Sequence, residues 1–171
     1  MKIIELEIPE LKVLVPDVHE DERGFFYESF VHKFFSDKMN IDVKFVQENH
    51  TLSYKGVLRG LHYQLPPYEQ GKLIKVVEGE IYDVALDIRE DSSFFGKWAG
   101  CYLSSENKKQ LWIPPGFAHG FQVVSDTAEV LYKCSNYYSP EYERGILWND
   151  EVIDIKWPET NNAIISKKDR E

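Results

Sequence analysis

Gly56-Val57-Leu58-Arg59-Gly60-Leu61-His62-Tyr63-Gln64 reads as a β-strand with too many polar groups for a strand that only builds a core. Arg59, His62 and Gln64 stand among Val57, Leu58, Leu61 and Leu65, where burying them unpaired would be costly. Just upstream, Gln47-Glu48-Asn49-His50-Thr51 adds two amides and a second histidine, so the two stretches read as strand, turn, strand. Arginine suits a phosphate or carboxylate, and histidine changes its charge near neutral pH. Both types in one neighbourhood indicate a site.

The flanking sequence supplies more strands. Leu11 to Val15 is an early one, ended by Pro16, and Gly24 to Phe30 is aromatic-rich and extended. Val31, Phe34, Phe35 and Lys38 recur at helical spacing and predict one helix over Val31 to Met39. Strands follow over Lys72 to Val77, Ile81 to Ile88, Gly100 to Leu103, Lys109 to Ile113, Gly120 to Val124 and Glu129 to Asn136. Within Ile81 to Ile88 the alternation puts Asp83 and Asp87 on one face, which is either solvated or a polar cavity. Short strands at this spacing with one early helix point to an antiparallel sandwich or barrel. No glycine-rich phosphate loop of either common kind is present.

At 171 residues and 43% hydrophobic the chain is long and apolar enough for one domain, 1–171, with its own core. Cys101 and Cys134 lie in separate apolar runs without metal-like spacing; they read as buried thiols of a reducing compartment, a bridge being the alternative. No apolar run reaches the length of a membrane span, and acids interrupt Met1-Lys2-Ile3-Ile4-Glu5 too early for a signal peptide. The expectation is a cytoplasmic protein that binds no membrane. A net charge of −9 argues against a nucleic-acid partner. A small anionic ligand stays open, provided a local cluster of arginine and lysine holds it against the overall field.

A second constellation, Ile113-Pro114-Pro115-Gly116-Phe117-Ala118-His119-Gly120-Phe121, delivers His119 from a Pro-Pro-Gly turn to the start of a strand. Together with Gly56 to His62 and the turn at Gly79, it resembles the two-motif pattern of the cupin double-stranded β-helix. In most cupins those motifs supply three histidines and a carboxylate to a metal. Here Gln64 stands two residues after His62, and Lys72 stands where the carboxylate would be. An ammonium repels a metal and an amide is a poor ligand beside imidazole, so the pattern implies a site without metal.

Over nearly its whole length the chain resembles the dTDP-4-dehydrorhamnose 3,5-epimerase family. The resemblance rests on Asp21 to Glu28, Gln47-Glu48-Asn49, Gly56 to Gln64, Gln70-Gly71-Lys72 and Phe117 to Phe121. Tyr132-Lys133, Tyr137-Tyr138, Trp148-Asn149-Asp150, Trp157-Pro158 and Ser166 to Asp169 extend it. One departure is Thr51, where the family more often has serine. The resemblance implies an all-β cupin jelly roll with a short N-terminal helix and a C-terminal extension. It also implies a substrate similar to a 4-keto-6-deoxyhexose linked to thymidine diphosphate. The C4 ketone acidifies the protons on carbons 3 and 5, so a base can remove one and an acid can return it from the other face. No cofactor is implied.

By the same resemblance His62 is the base, oriented by Asp169, and Tyr132 is the acid. Lys72 stabilises the enolate and His119 assists at the sugar. Arg23 and Arg59, with Lys168, would hold the diphosphate as forked or point-charge donors. Glu28, Gln47 and Asn49 would read base and sugar, Glu48 would contribute through its backbone, Tyr138 would stack on thymine, and Glu143 would touch the ligand. The family also implies a homodimer in which an N-terminal segment crosses to the partner. Three alternatives stand beside this: a relative that inverts carbon 3 alone, a metal-dependent cupin, and a sugar-nucleotide binding module without catalysis.

Overall fold

A computed structural model describes residues 1–170. Two antiparallel sheets face each other. The first has the order β1 (Lys2–Glu5), β2 (Lys12–Val15), β10 (Gln110–Ile113), β7 (Lys72–Glu78), β12 (Thr127–Cys134), β5 (Gln47–Tyr54). The second runs β13 (Glu143–Gly145), β6 (Val57–Gln64), β11 (Phe117–Val123), β8 (Glu80–Asp87), β9 (Trp98–Ser104), with β14 (Ile164–Ile165) parallel to β6. A small hairpin, β3 (His19–Asp21) and β4 (Gly24–Phe26), stands apart. This is the jelly-roll architecture anticipated above. The strand–turn–strand reading of residues 47–64 holds, with a difference: β5 and β6 belong to opposite sheets, so the turn at Lys55-Gly56 carries the chain across the sandwich.

Between the sheets, Ile74, Val76, Ile81, Ala85, Leu111, Phe117, Phe121 and Val130 form the main core. They occupy alternate positions along their strands, as a strand with one inward face requires. The outer face of the second sheet is covered by the C-terminal region, where Ile155 and Trp157 pack on Leu58, Leu61, Val84 and Leu86. The outer face of the first is covered by α1 (His32–Met39), whose Phe35 and Met39 are buried against Leu73 and Trp112. The helix stops at Asn40, a left-handed cap whose N–H donates to Phe35 O. The Gly24 to Phe30 stretch is strand only as far as Phe26. Cys134 is buried, Cys101 is half-buried, and both are free thiols. Among the described residues, no helix is long and apolar enough to cross a membrane.

One irregularity positions the site. His119 faces His62 across the β6–β11 ladder, whereas Phe121 faces Arg59, so β6 spends one residue more than its partner. Such a bulge re-aims side chains. Gly60 makes it possible. Its φ is +112°, and a Cβ there would meet His119 O at 2.5 Å and Gly120 Cα at 2.6 Å. The extra residue turns Arg59 and His62, three apart, onto the same wall.

Candidate active site

His62 stands on the inner face of the second sheet, and its partner comes from the far end of the chain. β14 pairs with Val57 and Leu58 of β6 and sets down a 3-10 turn, Lys168–Arg170, beside the strand. There Asp169 Oδ1 lies 2.6 Å from His62 Nε2, and Oδ2 accepts the Gly60 N–H at 3.4 Å. The Asp169 side chain is 5% exposed and the His62 ring 30%, so the ring is the more open of the two to a ligand. A buried carboxylate on one imidazole nitrogen fixes the tautomer and stabilises the ring once it has taken a proton. The same turn presents Lys168, which pairs with Glu143 Oε2; the Tyr138 hydroxyl donates to that oxygen at 2.6 Å.

Facing this wall, the first sheet contributes Lys72 and Tyr132. Lys72 is buried, and among the described residues no carboxylate forms an ion pair with it. Burial pushes its amine below the ordinary lysine range, opposed by Cys134, Asp83 and Glu143. Burial also raises the Tyr132 phenol, with Cys134 adding to the rise and Asn49 opposing it, so the phenol stays protonated at neutral pH. Between these walls lies a cavity of about 400 Å³ whose lining includes Gln47, Asn49, His62, Lys72, Tyr132, Tyr138 and Glu143. A second, of about 290 Å³, adjoins it and takes in Arg59, His119, Lys168 and Asp169. Thr51, His62, Lys72 and Tyr132 line both, so the two are one trough with a base, a cation and a phenol at its centre.

The remaining residues singled out from sequence divide by position. Arg59 is held by Ser53, whose hydroxyl accepts its Nε–H at 3.0 Å. Gln47 donates to Asn49 Oδ1 at 3.0 Å and accepts the Tyr138 N–H at 3.0 Å, so β5 ties down the aromatic that closes one end of the trough. Alternation along β5 sends Gln47, Asn49, Thr51 and Ser53 inward and turns Glu48 outward, where it pairs with Lys133 at 2.8 Å. Arg23 and Glu28 line neither part of the trough. Arg23 is 85% exposed on the hairpin and paired with Asp21. Glu28 is exposed beside Ser29, which Lys75 and Gln110 hold on the outer face of the first sheet at 2.7 and 2.8 Å.

Two residues do more than the sequence revealed. Gln64 donates to Tyr68 O at 2.6 Å and Tyr137 O at 3.1 Å, and it accepts the Ser139 N–H at 2.6 Å. Its amide is spent on the loop that carries Tyr138. Asp83 is fully buried and both its oxygens lie 3.0–3.1 Å from His119 Nε2. The alternation in β8 had marked its face as polar; only its burial reveals the partner. The donors do not fit a metal: the Nε2 atoms of His62 and His119 each face their own aspartate, Gln64 serves backbone, and Lys72 adds a cation.

The family model for dTDP-4-dehydrorhamnose 3,5-epimerase matches residues 5–171. A dTDP-4-dehydrorhamnose 3,5-epimerase from Shigella flexneri is 58% identical over 99% of this chain and 93% of its own length. The crystal structure of a dTDP-6-deoxy-D-glucose-3,5-epimerase from Legionella pneumophila, in complex with dTDP-4-keto-L-rhamnose, superposes with a TM-score of 0.95. It is 51% identical, covering 98% of this chain and 89% of that one. A dTDP-4-dehydrorhamnose 3,5-epimerase from Bacillus anthracis with TDP and PPi bound gives 0.94 at 44% identity, covering 99% and 96%. A His–Asp pair, a buried lysine and a half-buried phenol surround one trough, and the chain belongs to the dTDP-4-dehydrorhamnose 3,5-epimerase family.

Proposed function

We propose that this protein inverts carbons 3 and 5 of dTDP-4-dehydro-6-deoxy-D-glucose, giving dTDP-4-dehydro-L-rhamnose. The observation that carries the reading is the 2.6 Å pair between His62 and Asp169, set in a trough that also presents Lys72 and Tyr132. His62 removes the proton next to the C4 ketone, and Asp169 stabilises the imidazolium that results. The Lys72 ammonium takes up the negative charge on the enolate oxygen. Tyr132, kept protonated by burial, returns a proton from the other side of the ring. His119 contacts the sugar. Protein side chains supply every step, in keeping with a donor set unsuited to metal.

The nucleotide lies along the rest of the trough. Arg59 and Lys168 hold the diphosphate, Tyr138 stacks on thymine, and Gln47, Asn49 and Glu143 read base and sugar, with Glu48 contributing backbone. Arg23 and Glu28, which line no part of their own trough, serve the site of a second copy in a homodimer. The exposed Phe25 and Phe26 beside Arg23 suit burial against that copy. The chain acts as one domain, and two free thiols suit the reducing cytoplasm.

The test is incubation with the 4-keto-6-deoxyglucose nucleotide in deuterium oxide, followed by NMR of the sugar. Deuterium at carbons 3 and 5 in an L-configured product is the expected result. Exchange at carbon 3 alone would reduce the activity to a 3-epimerase, and no exchange would overturn the proposal.

A further inference from the structure

Across the inner face of the second sheet, three ionisable side chains form a row. Asp83 on β8 is the diagonal neighbour of His119 on β11, which faces His62 on β6. Asp169 then closes the row beyond His62. Two imidazoles therefore stand side by side, each with its own carboxylate outboard. The pairs differ in burial: His62 is 30% exposed, whereas His119 is 7% and Asp83 0%. Asp83 lies outside the trough lining while His119 is part of it. A fully buried aspartate with no access to ligand has one course open to it, which is to act through the histidine it holds.

We propose that Asp83 is a positioning residue of the reaction, holding His119 as the Nε2–H tautomer so that Nδ1 is left as a hydrogen-bond acceptor for a sugar hydroxyl beside His62. This rests on the sugar-nucleotide reading of the trough and adds a residue to it. The geometry fixes the tautomer, because a carboxylate within 3.0–3.1 Å of Nε2 requires the proton on that nitrogen. Burial, the main influence, lowers the ring's basicity, and His62 and Lys72 do the same. The Asp83 charge works the other way. A neutral His119 is the only form that offers Nδ1 as an acceptor, and it adds no second cation next to His62 as that ring takes its proton.

The decisive measurement needs no variant. In the wild-type protein labelled with 15N at histidine, two-bond 15N–1H correlation spectra at pH 7 should show His119 neutral and protonated at Nε2. A Nδ1–H form, or a doubly protonated ring, would overturn the proposal. Asp83→Leu then tests the consequence: turnover should fall at least tenfold, the Kd for dTDP alone should stay within threefold, and Asp83→Asn should restore part of the rate. Turnover within twofold of wild type in a folded Asp83→Leu protein would also overturn it. Should both variants fail to fold, the wild-type spectrum still decides. Failure of the epimerase reading would show separately, as wild-type protein that exchanges no substrate proton.

Discussion

Replacing Asp169 by asparagine isolates what its charge contributes, because the two side chains share shape and the carboxamide oxygen can still accept from His62 Nε2 in the place of Oδ1. Asp169 Oδ1 lies 2.6 Å from His62 Nε2, and the side chain is 5% exposed. With charge centres about 4 Å apart and an effective dielectric near 20, an imidazolium–carboxylate pair gains about 4 kcal/mol. The carboxamide dipole recovers part of that, and each 1.36 kcal/mol is a factor of ten in rate, so kcat should fall by about 10²- to 10³-fold. Deuterium incorporation at carbon 3, followed by NMR, reads this directly. Because Asp169 is assigned to the base and not to the nucleotide, the Kd for dTDP by calorimetry should change by less than about threefold. An Asp169→Asn protein that exchanges within about fivefold of wild type would refute the assignment of Asp169 as the group that stabilises the protonated base.

Gln64→Leu removes one acceptor and two donations from a buried site, each unmet backbone group costing about 1–3 kcal/mol. The Tyr138 loop should loosen, and dTDP affinity should fall by about tenfold, roughly 1.4 kcal/mol, as measured by calorimetry; unchanged affinity would remove Gln64 from the nucleotide end of the site. Lys72→Met should abolish exchange yet raise the melting temperature at pH 7, since a buried cation is replaced by an apolar side chain of similar length. The sign follows from the lowered Lys72 pKa: between that value and the unfolded value of 10.5 the unfolded chain binds more protons, so the wild type gains stability as pH rises through this window. The stability gap between variant and wild type should therefore narrow from pH 7 towards pH 10, and thermal denaturation showing a constant or widening gap would count against a destabilising Lys72 cation.

Residues 47–64 show how far periodicity carries. The alternation of Gln47, Asn49, Thr51 and Ser53 with Glu48, His50, Leu52 and Tyr54 is visible in the sequence, and it separates the trough side from the outer side. What alternation cannot give is the partner strand. β5 pairs with β12 and β6 with β11, each more than fifty residues further along. Asp83 illustrates the same limit. Its polar face is legible, but the histidine that explains it is 36 residues away on a neighbouring strand. In the sequence Gln64 marks where a metal ligand is missing; its three backbone partners, on loops up to 75 residues distant, give the amide a purpose of its own. The bulge at Gly60 left a glycine in a strand as its only trace. Asp169, from a charged tail, was legible through family resemblance alone.

His62 and Tyr132 belong to different sheets, and this has a consequence for the turnover cycle. On the proposed assignment, the proton that leaves the sugar goes to one wall, while the proton that arrives comes from the other. After a single inversion, the second sheet carries one proton too many and the first carries one too few. The resulting phenolate is unfavourable where burial has raised the phenol's pKa, and this drives it to recover a proton. The site must therefore be recharged before a second carbon can be inverted in the same sense. Recharging through water would label each inverted carbon with a solvent hydrogen. Direct return across the roughly 10 Å between layers would pass the abstracted hydrogen on to the next carbon inverted.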